Sequence, residues 1–367
     1  MGISEYLHEL GHRGKNLLIR ARTRYLEQNA WRKRHAKVRK LHPRYGDKCP
    51  EEVEEEHRRL WRQLRWRVKP DTLRVCHGIS GKADPRLVPE EIYATEIEPA
   101  LNRYETAWFQ GNKSTYSRWW DSDLFPRCFL HNIDGKFYDQ NYRPMEREDT
   151  DRLIEDLPFP VVVKASIGPH GGRAVSFPEN IEQLREQIRG RINYVVQRKL
   201  PQDPWFSRFN EVGLNTLRIC TYRSVETERI HVLNMALRMG KGGSLDNETQ
   251  GGIVCYVHEG GRLNDYAVDK YGEKFSEHPD TGIRFSDAGR LPAFEELKDL
   301  VTKVAQSIYL ARVVSLDACM DSSGNWRFIE VNLGHQTIRF AQYAGFPFFG
   351  EFTDEVIEYC KNNPRWL

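Results

Sequence analysis

Asp317, Glu330 and Asn332 have the types and spacing to do chemistry. They stand in the stretch SLDACMDSSGNWRFIEVN, where two short apolar runs flank a DSSG turn. A strand has a side-chain period of two, so Glu330 and Asn332 share one face. Pairing of the two runs as a hairpin brings Asp317 to that face. Three hard oxygen donors then converge, a set that suits Mg²⁺ held against phosphates better than zinc. Two carboxylates on one face are costly unless a cation or solvent compensates them. A solvated hairpin face is the plain alternative.

Lys164 is the second feature. It ends the β-branched run FPVVVKAS and is followed by Ser166, Ile167, Gly168, Pro169, His170, Gly171 and Gly172. A lysine there can hold phosphate oxygens as a point charge while loop amides wrap the others. The loop is neither a Walker A loop, since no G-K-[ST] opens a helix, nor G-x-G-x-x-G. An ordinary turn is the competing reading.

The elements that must position these residues can be read by period and punctuation. Residues 12–44 are strongly basic, residues 51–56 acidic, and HRRLWRQLRWRVK basic again. Pro50 with acids behind it and bases at the far end predicts a helix. Val53, His57, Leu60, Trp61 and Leu64 form its apolar stripe. YATEIEPALNRYETAWF reads as helix. CFLHNIDGKFYDQNYRP reads as two strands about a turn at Asp134–Gly135, and EREDTDRLIED as a short helix. From Phe159 the chain is strand-rich: FPVVVKAS, a Gly-rich hairpin, the helix IEQLREQIRGR and the strand YVVQRKL. NTLRICTYR, RIHVLNMALRM and GGIVCYVH follow, then a long helix from Leu291, the VVSLDAC and WRFIEVN strands, and a helix near 350–361. No internal repeat and no low-complexity tract is present.

The chain has 367 residues, is 39% hydrophobic and carries a net charge of +3; its mean hydropathy is −0.67. That length gives two or three domains with real cores. The small net charge excludes a general polyanion binder. No run of about 18 apolar residues predicts a membrane span, and the charged N-terminus does not read as a signal peptide. Seven scattered cysteines without C-x-x-C spacing predict reduced thiols, a cytoplasmic setting and no zinc site. The basic N-terminal region reads as a helical hairpin packed on the body. Its functional alternatives are an anionic membrane surface, at the inner face of the membrane, or a glycan-assembly partner. Nucleic acid is disfavoured, because the charges alternate in sign and no motif accompanies them.

The order of parts resembles the ATP-grasp superfamily: strand with Lys, Gly-rich hairpin, helix, apolar strand ending in Gln-x-x-Leu, sheet, then D…E-x-N. VVQRKL, GLNTLRI, LDNETQGGI and FIEVN look like the sugar-transfer-associated ATP-grasp family over about residues 130–360. The resemblance implies an α+β chain, two α+β subdomains clamping ATP, preceded by a basic helical N-terminal region. The expected division is 1–70 (basic helical), 71–157 (α/β region before the ATP-grasp), 158–204 (small subdomain) and 205–367 (large subdomain).

The resemblance also implies roles. Lys164 and Ser166 would meet phosphates, and Gly168, His170, Gly171 and Gly172 would close over the β/γ end. Gln197, Arg198, Lys199 and Leu200 would be the hinge facing adenine, with Asp203 for the ribose. Asp317, Glu330 and Asn332 would hold one or two Mg²⁺, or Mn²⁺. Asn215, Asn247, Gly251, Gly252 and Arg339 would face the substrate. Arg218 and Arg238 would stabilise a phosphoryl group in transfer, with surface ion pairs as the plain alternative. His335 would orient or deprotonate a nucleophile, or be a structural histidine. Ser315 stands two residues before Asp317, where many ATP-grasp ligases carry Arg; Arg238 or Arg312 is left to substitute. The family's early lysine is not evident, and Lys136 is a candidate.

The implied activity is an Mg²⁺/ATP-dependent carboxylate–amine (or –thiol) ligase acting through an acyl-phosphate, in polysaccharide or specialised-metabolite biosynthesis. Its partners would be a small-molecule or glycan carboxylate and an amine acceptor. The alternatives are a kinase of the same fold acting on a sugar or other hydroxyl, and a silent nucleotide-binding module that recruits a glycosyltransferase or membrane.

Overall fold

The computed structural model describes residues 3–64, 67–102, 107–167, 175–243 and 251–364, with backbone alone for 3–17. Helix α1 (Ile3–Leu41) is followed by α2 (Glu51–Trp61) and α3 (Asp71–Ser80). The predicted stripe of α2 turns inward: His57, Leu60, Trp61 and Leu64 are buried. Acids at the start of α2 and bases in its last turn match the helix dipole. The stretch read as helix from Tyr93 is helical to Leu101, as a π-helical turn, Tyr93–Ile97, and a short helix, Glu98–Leu101, while 103–106 lie outside the described residues. Pro99 stands in the first turn of that short helix, where its missing N–H is tolerated.

Strands β1 (Cys128–Ile133), β2 (Lys136–Asp139) and β3 (Pro144–Met145) open the first sheet. The β1–β2 turn has φ of 49° at Asp134 and 79° at Gly135. Both values are positive, as a two-residue hairpin turn matching strand twist requires. Then come α4 (Arg147–Glu155), β4 (Val161–Ala165), β5 (Val175–Ser176), α5 (Ile181–Ile188) and β6 (Tyr194–Arg198). The sheet order is β3-β2-β1-β6-β4-β5. Because β1 hydrogen-bonds to β6, this six-stranded sheet crosses the 157/158 boundary expected from sequence.

The second sheet holds β7 (Thr216–Arg223), β8 (Ile230–Met239), β9 (Ile253–Val257), β10 (Leu263–Val268) and β11 (Lys274–Phe275). After α6 (Phe294–Gln306), β12 (Val313–Met320) and β13 (Trp326–Asn332) complete it. Its order is β11-β10-β9-β8-β7-β12-β13. Helix α7 (Thr353–Asn362) is the last of the described elements. The architecture is therefore α+β with two antiparallel sheets and a helical N-terminal region.

Leu297, Val301 and Val304 of α6 join Ile219, Leu237 and Leu316 in the largest core. The other face is covered by the N-terminal region: Trp61, Tyr93 and Ile97 pack with Cys220, Tyr222, Val313 and Phe349. None of the seven cysteines is paired, and six are buried. Among the described residues no helix is long and apolar enough to cross a membrane.

Leu297 is fully buried against the sheet that carries the acidic motif. Leu297→Ala should lower unfolding free energy by about 2–5 kcal/mol, measured by urea denaturation. A loss below about 0.5 kcal/mol would show that α6 does not anchor the sheet.

Candidate active site

The second sheet brings its charged residues into register. Asp317 on β12 pairs with Glu330 on β13 and with Arg218 on β7. Arg218 in turn pairs with Ala236 on β8, and Thr216 with Arg238. Paired positions share a face, so Glu330, Asp317, Arg218 and Arg238 form one charged patch.

Asp317 is buried at its centre. Its Oδ2 accepts from Arg218 Nη2 and Arg238 Nη1, each at 2.9 Å, and Oδ1 accepts from Arg218 Nε. Burial alone would raise this carboxyl. The two guanidinium groups override it and hold Asp317 below the ordinary carboxylate range, as close cations do. For Arg218, burial opposes the charge, yet Asp317 raises its pKa.

Glu330 meets a residue the sequence reading missed. Lys113 Nζ lies 2.7 Å from Glu330 Oε1. Burial works to raise Glu330, and Lys113 turns the balance so that its pKa is lowered. Lys113 sits in a 3₁₀ turn, Lys113–Thr115, capped by the Asn112 side chain. Its backbone N–H donates to Ser166 O at 2.9 Å, and Ser114 Oγ meets Ser166 Oγ at 2.7 Å. This short segment therefore ties the Lys164 strand to the Glu330 strand. Its sequence signal is weak: one lysine in the aromatic stretch AWFQGNKSTYSRWW. Lys136, the expected early lysine, is instead exposed on the β1–β2 hairpin.

Val161, Val163, Tyr194 and Val196 face the core of the first sheet. By alternation Lys164 and Gln197 face the other way, toward the second sheet. Burial lowers the Lys164 ammonium, Lys113 adds to the effect, and Glu330 and Asp317 oppose it. Lys164 is thus within electrostatic reach of Lys113, Glu330 and Asp317.

Between the sheets lies a cavity of about 590 Å³. Lys113, Gln197, Arg198 and Leu200 line it, with Asp321 and Arg327 of the β12–β13 turn opposite. Neither Asp321 nor Arg327 was anticipated. Burial would raise Asp321, but backbone N–H groups and Arg327, at 2.8 Å, lower it. The two sheets are stitched here: Ser322 N–H donates to Pro201 O at 2.9 Å and Asp203 N–H to Met320 O at 3.1 Å.

Other expected residues fall elsewhere. Lys199 does not line the cavity and stands over the Phe177 ring instead. Asp203 is the N-cap of the turn Pro204–Ser207, its Oδ1 accepting from Trp205 N–H at 2.8 Å, and does not line the cavity. Asn215 is fully buried. Its amide donates to Phe206 O and Asn210 O, so it knots a loop and offers no surface to a substrate. Gly251, with φ of 109°, and Gly252 lead into β9. His335 is exposed, at a φ of 57°, next to Gln336, whose N–H donates to Glu98. Arg339 opens a short helix with its guanidinium 5.4 Å from the Phe340 ring. Gly168, His170, Gly171, Gly172 and Asn247 lie outside the described residues.

Ser315 carries no charge and is buried. Its hydroxyl donates to Gln336 Oε1 and meets Cys220 Sγ at 3.0 Å. Arg312 pairs with Glu228 at 2.8 Å, away from the patch. Arg238 is the guanidinium that reaches Asp317.

The donor set fits a hard cation in part. Asn332 Nδ2 is buried without a hydrogen-bond partner. An amide flip exchanges its nitrogen and oxygen, so that position can present oxygen beside Glu330. Asp317 differs, since the arginines engage both its oxygens. Among the described residues no group of three His, Cys, Asp or Glu forms a metal cluster.

Residues 182–347 match the model of the sugar-transfer associated ATP-grasp family. No curated protein matches the chain. Similar solved structures include the biotin carboxylase domain of Hydrogenobacter thermophilus 2-oxoglutarate carboxylase, at 14% identity and TM-score 0.43. That alignment covers 71% of this chain and 47% of the other. An L-amino acid ligase from Bacillus licheniformis aligns at 14% and 0.36, over 63% and 41%. D-alanyl-alanine synthetase A from Vibrio cholerae aligns at 15% and 0.39, over 69% and 64%. This chain thus spans from 41% to 64% of the length of these structures.

Asp317 contributes stability above the unfolded carboxylate pKa, and that contribution is lost as pH falls through its lowered folded pKa. Asp317→Asn leaves two buried guanidinium groups without their carboxylate and should cost about 3–5 kcal/mol at pH 7. It should also flatten the acid limb of the stability–pH curve in urea titrations. An unchanged acid limb would contradict the pairing. A phosphate held by Lys164 would show the opposite sense: its binding should weaken as pH rises through the lowered Lys164 pKa, which ADP titrations from neutral to alkaline pH would show. A flat profile would contradict a phosphate contact by Lys164. Over residues 182–347 the chain is similar to the sugar-transfer associated ATP-grasp family.

Proposed function

We propose that this protein is an ATP-dependent carboxylate–amine (or –thiol) ligase that acts through an acyl-phosphate. One observation carries the reading. Among the described residues Lys113, Lys164, Arg218 and Arg238 gather about the carboxylates of Asp317 and Glu330. Cations gathered in one place attract a polyphosphate. The roles below are part of the proposal.

Lys164 and Lys113 hold phosphate oxygens as point charges. Gln197 to Leu200 form the wall for the base. Arg218 and Arg238 face the phosphoryl group in transfer, and Asp317 positions both guanidinium groups. Glu330 and Asn332 would hold Mg²⁺, which supplies charge neutralisation for the triphosphate when bound. A substrate carboxylate oxygen attacks the γ-phosphorus and ADP leaves. The amine nitrogen then attacks the acyl carbon, phosphate leaves and the nitrogen loses a proton. Position and electrostatics carry the rate; no covalent nucleophile of the protein is needed. Arg238 supplies the guanidinium that Ser315 lacks. The sugar-transfer association of the family supports a carboxylate or amine borne on a glycan or its precursor.

One observation favours a second reading. Ser315 sits in a neutral knot with Cys220 and Gln336, so position 315, where many ATP-grasp ligases carry Arg, presents no guanidinium of its own to an acyl-phosphate. A kinase transferring the γ-phosphoryl group to a sugar hydroxyl would tolerate that.

Turnover with a panel of acids and amines separates the two. The ligase gives ADP and free phosphate in equal amounts, and hydroxylamine intercepts the acyl-phosphate as a hydroxamate. ADP with a phosphorylated product and no free phosphate would overturn the ligase. Arg238→Ala should lower kcat by roughly 10²–10³-fold.

A further inference from the structure

The outward face of α1 has no role in the nucleotide site. Residues 18–41 hold nine Lys or Arg and a single acid, Glu27. The body sorts these cations by face. Arg20 and Arg24 pair with Glu96 at 2.6 and 2.7 Å, Arg39 with Asp71 at 2.8 Å, and Arg34 donates to Lys270 O. Val38 and His35 are buried beside them. These contacts run from Arg20 to Arg39, a rise of about 28 Å, so the helix lies along the protein surface.

The opposite side is exposed. Arg22, Arg32, Lys33 and Lys40 stand there, with Leu18 75% exposed, Tyr25 67% and Leu26 53%. At 100° per residue Leu18, Arg22, Tyr25, Leu26, Lys33 and Lys40 fall within about a third of a turn. Cations and large apolar side chains share this stripe, and its described residues include no acid. Nucleic acid would use the charges and leave Leu18 and Leu26 without purpose. An anionic bilayer uses both, because headgroups attract the cations and the acyl boundary takes the apolar side chains.

We infer that the outward face of α1 docks the protein flat on a membrane surface bearing anionic lipid headgroups. The inference is independent of the ligase chemistry. It commits to a lipid surface; the helix lies on the bilayer and does not cross it.

The test is co-sedimentation of the full chain with vesicles of phosphatidylcholine alone or with about one third phosphatidylglycerol. Binding to the anionic vesicles should be at least about tenfold stronger, and should fall as salt is raised from about 0.1 to 0.5 M. Combined R22E, R32E, K33E and K40E should reduce it to the neutral-vesicle level. Combined L18S, Y25S and L26S should weaken vesicle binding severalfold and leave capture by heparin unchanged. All these side chains face solvent, so both variants should keep the wild-type melting temperature and ADP binding. No binding to the anionic vesicles, or equal binding to both vesicle types, would overturn the inference. So would heparin or tRNA binding lost in parallel with vesicle binding in the apolar variant.

Discussion

A carboxylate buried between two guanidinium groups governs the rest of the site. Asp317 would be costly in this position alone, and so would Arg218 and Arg238. Together they satisfy one another, and low local polarity strengthens each contact. The arrangement also fixes direction. Arg218 and Arg238 arise from adjacent strands, and their shared acceptor on a third strand holds both planar groups on one face. Lys113 and Glu330 repeat the principle at the next strand, and Lys164 adds a cation from the facing sheet.

The fold exists to bring these charges together from two sheets. Alternation along β4 and β6 sends Val161, Val163, Tyr194 and Val196 to one core and Lys164 and Gln197 to the cleft. The register of β7, β12 and β13 lines up Arg218, Asp317 and Glu330. The Lys113–Thr115 turn and the Pro201–Asp203 connection bridge the sheets from either side. The N-terminal region is part of this construction, since Trp61 and Tyr93 share a core with Tyr222 and Val313.

Period-two patterns made much of this legible. D…E-x-N predicted the β12–β13 hairpin, and Asp134–Gly135 predicted a turn that needs two positive φ values. The Lys164 strand and the Arg218 and Arg238 strands also followed from alternation. Lys113 did not, because it lies in a 3₁₀ turn among aromatics, where no period marks an inward face. Strands β10 and β11 were missed for a related reason: their alternation is short and polar. Asp203 and Asn215 stand near motifs that suggest a ligand-facing place. Sequence proximity does not reveal that one caps a turn and the other knots a loop. Asp317 shows the same limit, since spacing placed it beside Glu330 and Asn332 while the arginine contacts depend on cross-strand register.

The most direct measurement is the thermal stability of the full chain with a non-hydrolysable ATP analogue, with and without Mg²⁺, for the wild type and Lys164→Met. At about one hundred times its Kd a ligand adds roughly 2.7 kcal/mol of stability. The account predicts an Mg²⁺-dependent rise in melting temperature that Lys164→Met abolishes. No rise in the wild type, or an equal rise in the variant, would contradict a nucleotide site between the two sheets.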